Sequence, residues 1–253
     1  MSVGINLSNI ENLGKTEIVQ IFTHDNKELT LKWSNNDLRN IIENTKKVYV
    51  HSIFKVVLGR PYTFKLFNDH FSYCCNYNLT GYIIHLPKLE NKNIFSFIIK
   101  MFHLFSNMDT KYNGQIVYFE HIPSEYYCNP KNMVFFINKL YQLLQEVAIN
   151  IKIGICIDTC HLYSAGYDLS SKEIAKRYFD TIKKINKNIS VLIHLNDSKY
   201  EKESFRDHHA ELGYKIWKND QSGLKYILGL PYDKIIELKD CDSSLNYINN
   251  LIK

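Results

Sequence analysis

Ile153-Gly-Ile-Cys-Ile-Asp158-Thr-Cys-His161-Leu-Tyr-Ser-Ala-Gly166-Tyr-Asp168-Leu169 decides the reading of this chain. Ile153 to Ile157 is a short apolar run of the kind that forms a buried strand. The run stops on Asp158, and His161 follows three residues later. A carboxylate and an imidazole where a strand gives way to a loop are suited to holding a metal ion. The plain alternative is a buried aspartate paired with a neighbouring histidine, and two residues alone do not choose between them.

Outward from this segment, similar runs recur at Val3–Leu7, Ile18–Thr23, Val48–His51, Tyr82–Leu86, Ile116–Glu120, Val191–Leu195 and Lys234–Glu237. With Ile153–Asp158 they make eight. Helical segments lie between them. Asn35–Asn44 carries Leu38, Ile41 and Ile42, and Asn93–Met108 is rich in Ile, Phe and Leu. Met133–Ile149 places Phe136, Leu140, Leu143, Leu144 and Val147 on one face at helical spacing. Ser171 is placed to cap a helix over Ser171–Lys184 with Glu173 in its first turn, and Ser243 to cap a last helix ending at Leu251. Eight strands alternating with helices in about 250 residues is the arithmetic of an α/β fold, the (β/α)₈ TIM barrel. One such domain over residues 1–253 is expected, with its active site at the C-terminal ends of the strands. The alternative, an open doubly wound sheet, is weakened because no Gly-rich phosphate-binding turn follows the first strand. Ser8 to Glu17 leaves room for little more than one turn of helix, and the aromatic stretch Phe54–Thr80 has room for a loop and a helix.

Bulk properties fit this picture. A chain of 253 residues buries about three quarters of its unfolded surface and needs no disulfide or metal staple. No apolar stretch approaches the ~18 residues that span a bilayer, so no membrane is expected. The start, Met1-Ser-Val-Gly-Ile-Asn6, has no signal-peptide pattern, which predicts an intracellular protein, cytoplasmic or nuclear and not secreted. The cysteines Cys74, Cys75, Cys128, Cys156, Cys160 and Cys241 form no CxxC pair and are expected as reduced thiols. The net charge of +5, nearly all from lysine, favours a polyanionic partner only weakly. Richness in Lys, Asn and Ile fits an AT-rich genome, of viral or protist kind.

The strand ends carry the chemistry. His51 ends the third run, His85 lies at the end of the fourth, and Glu120 closes the fifth. Asp158 closes the sixth with His161 just beyond, His194 lies at the end of the seventh, and Glu237 closes the eighth. In a closed barrel these ends meet on one rim. Crowding carboxylates and imidazoles there without a cation is unfavourable, because like charges are desolvated together. Asp207 and His209, two apart in an extended loop, point the same way and can grip one ion. The total is nine ligand-type residues, enough for more than one metal, since a catalytic zinc takes about three protein ligands. Oxygen and nitrogen donors suit Zn²⁺, and also Mn²⁺ or Fe²⁺.

At these residues the chain resembles the endonuclease IV family of apurinic/apyrimidinic endonucleases. Gly154–Leu169 resembles one signature of that family, His194-Leu-Asn-Asp-Ser-Lys199 a second, and Asp207-His-His209 followed by Leu212-Gly213 a third. The resemblance runs from His51 to Glu237, with a looser start at Gly4-Ile-Asn-Leu-Ser8. It implies a (β/α)₈ barrel with three zinc ions. His51, His85 and Glu120 would hold the first. Glu120 would bridge to a second, completed by Asp158, His194 and Glu237. His161, Asp207 and His209 would hold the third. Glu237, Glu120 and Asp158 are then the expected catalytic carboxylates. The implied reaction is hydrolysis of DNA on the 5′ side of an abasic site, with 3′-phosphodiesterase activity beside it. The implied partner is abasic double-stranded DNA, met by a monomer.

The chain also departs from the family. Asn6 stands where a histidine is usual, and His121-Ile122 replaces a small polar pair. Phe54 takes the place of an aromatic residue that family members push into DNA, with Lys55 where an apolar residue is common. Phe54 and the loops Ser8–Leu13, Thr23–Trp33 and Phe54–Phe67 are candidates to wedge the lesion. Lys27, Lys32, Lys55, Arg60 and Lys199 are candidates for phosphate contacts. Two rivals stand beside this reading: a metal-dependent sugar isomerase or epimerase on the same barrel, which does not need His161 with Asp207 and His209, and a DNA-binding relic without catalysis.

Overall fold

All eight apolar runs become parallel strands in the computed structural model, which describes residues 2–25, 30–58, 63–88, 94–106, 115–149 and 151–253. They are β1 (Val3–Asn6), β2 (Ile18–Phe22), β3 (Lys47–His51), β4 (Gly81–His85), β5 (Ile116–Glu120), β6 (Lys152–Asp158), β7 (Ser190–His194) and, after a short hairpin, β10 (Asp233–Ile236). The hairpin pairs β8 (Asp197–Ser198) antiparallel with β9 (His209–Ala210). The eight long strands close into a barrel in the order β1-β10-β7-β6-β5-β4-β3-β2.

The helices are α1 (Asn35–Glu43), α2 (Thr63–Asn76), α3 (Ile94–Ser106), α4 (Pro130–Glu146), α5 (Thr159–Ser164), α6 (Lys172–Ile182), α7 (Ser222–Leu228) and α8 (Asp242–Leu251). The first crossover holds only a 3₁₀ turn, Ile10–Asn12, as its length requires. Local chemistry sets several starts. Ser34 and Asp37 form a reciprocal capping box on α1. Asn129 caps α4 with Pro130 at its first position, and Ser171 accepts from the Ile174 amide on α6. The expected cap at Ser243 is corrected: α8 begins at Asp242, its N-cap is Cys241, and no side chain caps it there. Val147 lies just past α4, at its C-cap, and is exposed rather than on the helix's buried face.

Strand periodicity sorts side chains between two cores. Outward-facing residues such as Val117, Phe119, Ile155 and Ile193 pack with the helices in the main core. Inward-facing residues fill the lumen with a second, smaller cluster: Ile18, Tyr49, Ile83, Tyr118, Cys156, Leu192 and Ile235. Below that layer the Tyr49 hydroxyl and Lys47 Nζ both donate to Asp233 Oδ2, at 2.5 and 2.6 Å. Gly81 and Gly154 flank Tyr118 on the neighbouring strands, and a Cβ on either would come within 2.6 Å of its ring. One pleat above the apolar layer, the same inward phase delivers Gln20, His51, His85, Glu120, Asp158, His194 and Glu237 to the C-terminal rim. Among the described residues, no helix is long and apolar enough to cross a membrane.

Candidate metal centre

Parallel pairing puts the strand-end residues side by side: His85 registers with Glu120, and Asp158 with His194. Glu120, almost fully buried, is the hub. Its Oε2 lies 2.9 Å from His51 Nε2 and 3.3 Å from His85 Nε2, and its Oε1 lies 3.0 Å from His194 Nδ1. His194 Nδ1 is also 2.9 Å from Glu237 Oε2. A second group sits beside this one. Asp207 Oδ1 is 3.1 Å from both His161 Nε2 and His209 Nε2, and Asp158 Oδ2 is 3.3 Å from His209 Nε2. All nine residues expected as ligands therefore share one rim. Potential donor atoms of His51, His85 and Glu120 lie within 4.8 Å of one another, as do those of Asp158, His161 and His209. Asp158 stands between the groups, close to the second and joined to Glu237 through the Asn196 amide, which donates to Asp158 Oδ2 at 2.6 Å and Glu237 Oε2 at 3.0 Å.

The segment after Asp158 is not a loop turn. β6 runs directly into α5, and Asp158 is the N-cap, its Oδ1 accepting from the His161 amide at 2.8 Å. This fixes the spacing of the two side chains by helix geometry. On the other side, Asp207 and His209 are set by the hairpin β8–β9. Asp197 organises its return by accepting from the amides of Ser198, Gly213, Lys215 and Ile216. Burial raises the Asp197 pKa while those amides oppose the rise. Its role is structural.

The histidines are aimed from behind. His51 Nδ1 donates to the Ser52 carbonyl at 2.7 Å, and His161 Nδ1 to the His121 carbonyl at 2.6 Å. Each bond leaves Nε2 facing the centre, the usual arrangement behind a metal-ligating imidazole. His161 Nε2 is buried and has no aligned hydrogen-bond partner. It faces the Asp207 carboxylate 3.1 Å away, and a cation between the two groups would satisfy both. The donor set thus fits divalent metal: oxygen and imidazole nitrogen, pre-aimed, with one orphaned buried nitrogen.

The electrostatics agree. Burial would neutralise Glu120, but the imidazoles of His194 and His85 outweigh it and hold its pKa well below the carboxylate range. Asp158 is held near 2, with His161 and His209 overcoming burial. Burial disfavours charge on His161, yet Asp158 and Asp207 raise its pKa to about 9. His209 is pushed up against its burial by Asp158 and Asp207. Protons here do the charge balancing that metal ions would do.

Above the ligands lies a cavity of about 120 Å³, lined by Asn6, Phe22, Phe54 and several of the ligand residues. Phe54 is 61% exposed and stacks on His85 with ring centroids 5.8 Å apart. Lys55 and Lys199 are exposed. Lys32 is also exposed, its ammonium 5.1 Å from the Trp33 ring. Lys27 and Arg60 lie outside the described residues. Sequence reasoning missed two side chains. Asn196 sits inside a quoted motif, but nothing in its neighbours shows that it joins two carboxylates. Gln20 is the one polar residue in Ile18-Val-Gln-Ile-Phe22, a signal that went unread.

A segment of the chain is 38% identical to the probable endonuclease 4 of Mycoplasma capricolum over 104 residues, covering 36% of this chain and 34% of that relative. The match therefore spans about a third of the curated relative's length. Among solved structures, endonuclease IV from Thermus thermophilus superposes with a TM-score of 0.72 at 17% identity, over 99% of this chain and 97% of that one. A D-tagatose 3-epimerase-like protein gives 0.66 at 17% identity, over 100% and 96%. At such identity these likenesses speak for the barrel alone. Residues 109–236, half of the chain, match the family described as xylose isomerase-like TIM barrel, and the protein belongs to that family.

Proposed function

We propose that this protein is a zinc-dependent endonuclease that hydrolyses DNA on the 5′ side of abasic sites, leaving a 3′-hydroxyl and a 5′-deoxyribose phosphate. Release of blocked 3′ ends is the same chemical step. The observation that carries the reading is the second ligand group: His161, Asp207 and His209 converge beside the strand-end set. A sugar isomerase or epimerase needs only the strand-end residues. The cavity is also small beside the ~300–1,000 Å³ of a site that encloses a whole small molecule. It suits one phosphodiester of a larger substrate lying across the rim.

His51, His85 and Glu120 would hold one ion. Glu120, Asp158, His194 and Glu237 would hold a second, and His161, Asp207 and His209 a third. Bound divalent ions supply Lewis acidity toward a phosphodiester and ease the ionisation of water. Glu237 stands at the edge of the cavity as the group that orients the attacking water and accepts its proton. Asn196 steadies it, donating from its side chain to Oε2 and accepting from the Glu237 amide at 2.9 Å. Phe54, exposed on His85, is placed to fill the gap left by a missing base, since an unstacked abasic nucleotide is easily extruded.

The test is cleavage of a duplex with a single abasic site, with and without chelator. Wild-type protein should cut it, chelator should abolish cutting, and Glu237→Gln should lower the rate by about 10²–10⁴. Metal-replete protein that leaves the duplex intact would remove the nuclease reading.

A further inference from the structure

Gln20 lies on β2, which supplies none of the nine ligand residues. It is fully buried, and its amide joins two residues of the centre. Its Nε2 donates to Glu237 Oε1 at 2.6 Å, and its Oε1 lies 2.9 Å from His194 Nε2. The two bonds fix each other. The Glu237 carboxylate only accepts, so the amide nitrogen faces it and the amide oxygen faces His194. An amide oxygen only accepts, so His194 Nε2 carries a hydrogen. That leaves Nδ1 as the ligating nitrogen, and Nδ1 is the atom between Glu120 and Glu237.

This arrangement differs from the other aimed histidines. His51 and His161 are oriented by main-chain carbonyls, which no side-chain substitution removes. His194 is oriented by a side chain. It is also reversed, presenting Nδ1 where they present Nε2. Glu237 is held on both oxygens, by Gln20 on Oε1 and Asn196 on Oε2.

We infer that Gln20 is a positioning residue of the metal centre: it sets His194 as the Nε2-protonated tautomer and aims Glu237. The inference rests on reading these residues as a metal centre and not on the identity of the substrate. Loss of such an outer hydrogen bond typically weakens metal binding about 10–100-fold.

The experiment titrates metal-stripped full-length protein with Zn²⁺ against a chromophoric chelator, and records two-bond ¹H–¹⁵N spectra of the zinc-loaded histidines. Gln20→Met keeps length and volume but removes both bonds. It should weaken one class of zinc site about 10–100-fold, leave the others unchanged, and lose the pure Nε2–H pattern of His194. Gln20→Glu keeps an acceptor for His194 but sets a carboxylate against Glu237. It should keep the tautomer pattern while kcat on abasic duplex falls. Wild-type zinc affinity and an unchanged His194 spectrum in Gln20→Met would overturn the inference. If Gln20→Met does not fold, loss of the Nε2–H pattern in Gln20→Glu overturns it instead. Wild type that cuts no abasic duplex, beside a Gln20→Met variant that loses zinc, would sink the nuclease reading and leave this inference standing.

Discussion

At the scale of single residues, Asp158 and His161 divide between two tasks although they are three apart. Asp158 caps α5 and faces His209, with Asn196 linking it to Glu237, while His161 is turned by the His121 carbonyl toward Asp207. Asp158→Ala and His161→Ala should therefore each lower the bound metal count, from different places, and each should slow abasic cleavage at least ~100-fold. Metal analysis of the two single variants and the double variant checks this. The double variant should lose more metal than either single, and equal losses in all three would mean one shared site. These two side chains were legible in the sequence because a strand that stops on a carboxylate is a local signal. Gln20 was not. Its partner His194 is 174 residues away, and only closure of the barrel brings them together. The His121 carbonyl was equally hidden, since the main chain of any residue would serve.

At the scale of elements, the eight strands could be read because each is a short bounded apolar run, and the last six carry a His, Asp or Glu at or near the end. What could not be read has physical reasons. The hairpin strands β8 and β9 are two residues each, too short to carry a period. Helix α5 begins at Thr159, directly after β6, with Asp158 both ending the strand and capping the helix, so no turn signal separates them. Ser243 is a good capping residue by type, but α8 starts one residue earlier and places it within the helix. The glycines of β4 and β6 have an element-level role that the apolar pattern conceals. Gly154 leaves room for the Tyr118 ring, and a Cβ there would also meet the Ser190 carbonyl at 2.9 Å. Main chain cannot swing aside as a side-chain tip can. Gly154→Ala should destabilise the barrel by about 1–3 kcal/mol, the usual range for overpacking. Urea unfolding of the metal-free protein measures it, and a midpoint equal to wild type would show that the lumen has slack the geometry does not suggest.

At the scale of the molecule, stability is tied to protons in two opposite ways. Burial disfavours charge on His51, His161, His194 and His209, yet the carboxylates facing them raise their pKa, so in metal-free protein their contribution fades as pH rises; for His161 it is complete below the ordinary histidine pKa and lost through about 9. His70 runs the other way. It stacks on His24 at 3.9 Å with the rings nearly parallel, tying the chain after β2 to α2. Burial first, and then the neighbouring His24, push its pKa down to about 4, with Asp69 pulling weakly upward. Between about 4 and the ordinary value near 6.5 the unfolded chain binds a proton that the folded chain refuses. Stability from this pair is therefore full above about 6.5 and is lost as pH falls toward 4. A comparison of wild type with His70→Phe isolates it, because the rim histidines are common to both and cancel. With chelator present throughout, the melting temperature of wild type relative to the variant should be highest near pH ~7.5 and should drop steadily by pH ~5. A difference that stays constant across that range would mean that His70 takes up its proton without disturbing the fold, and that the stacked pair carries no pH-dependent stability.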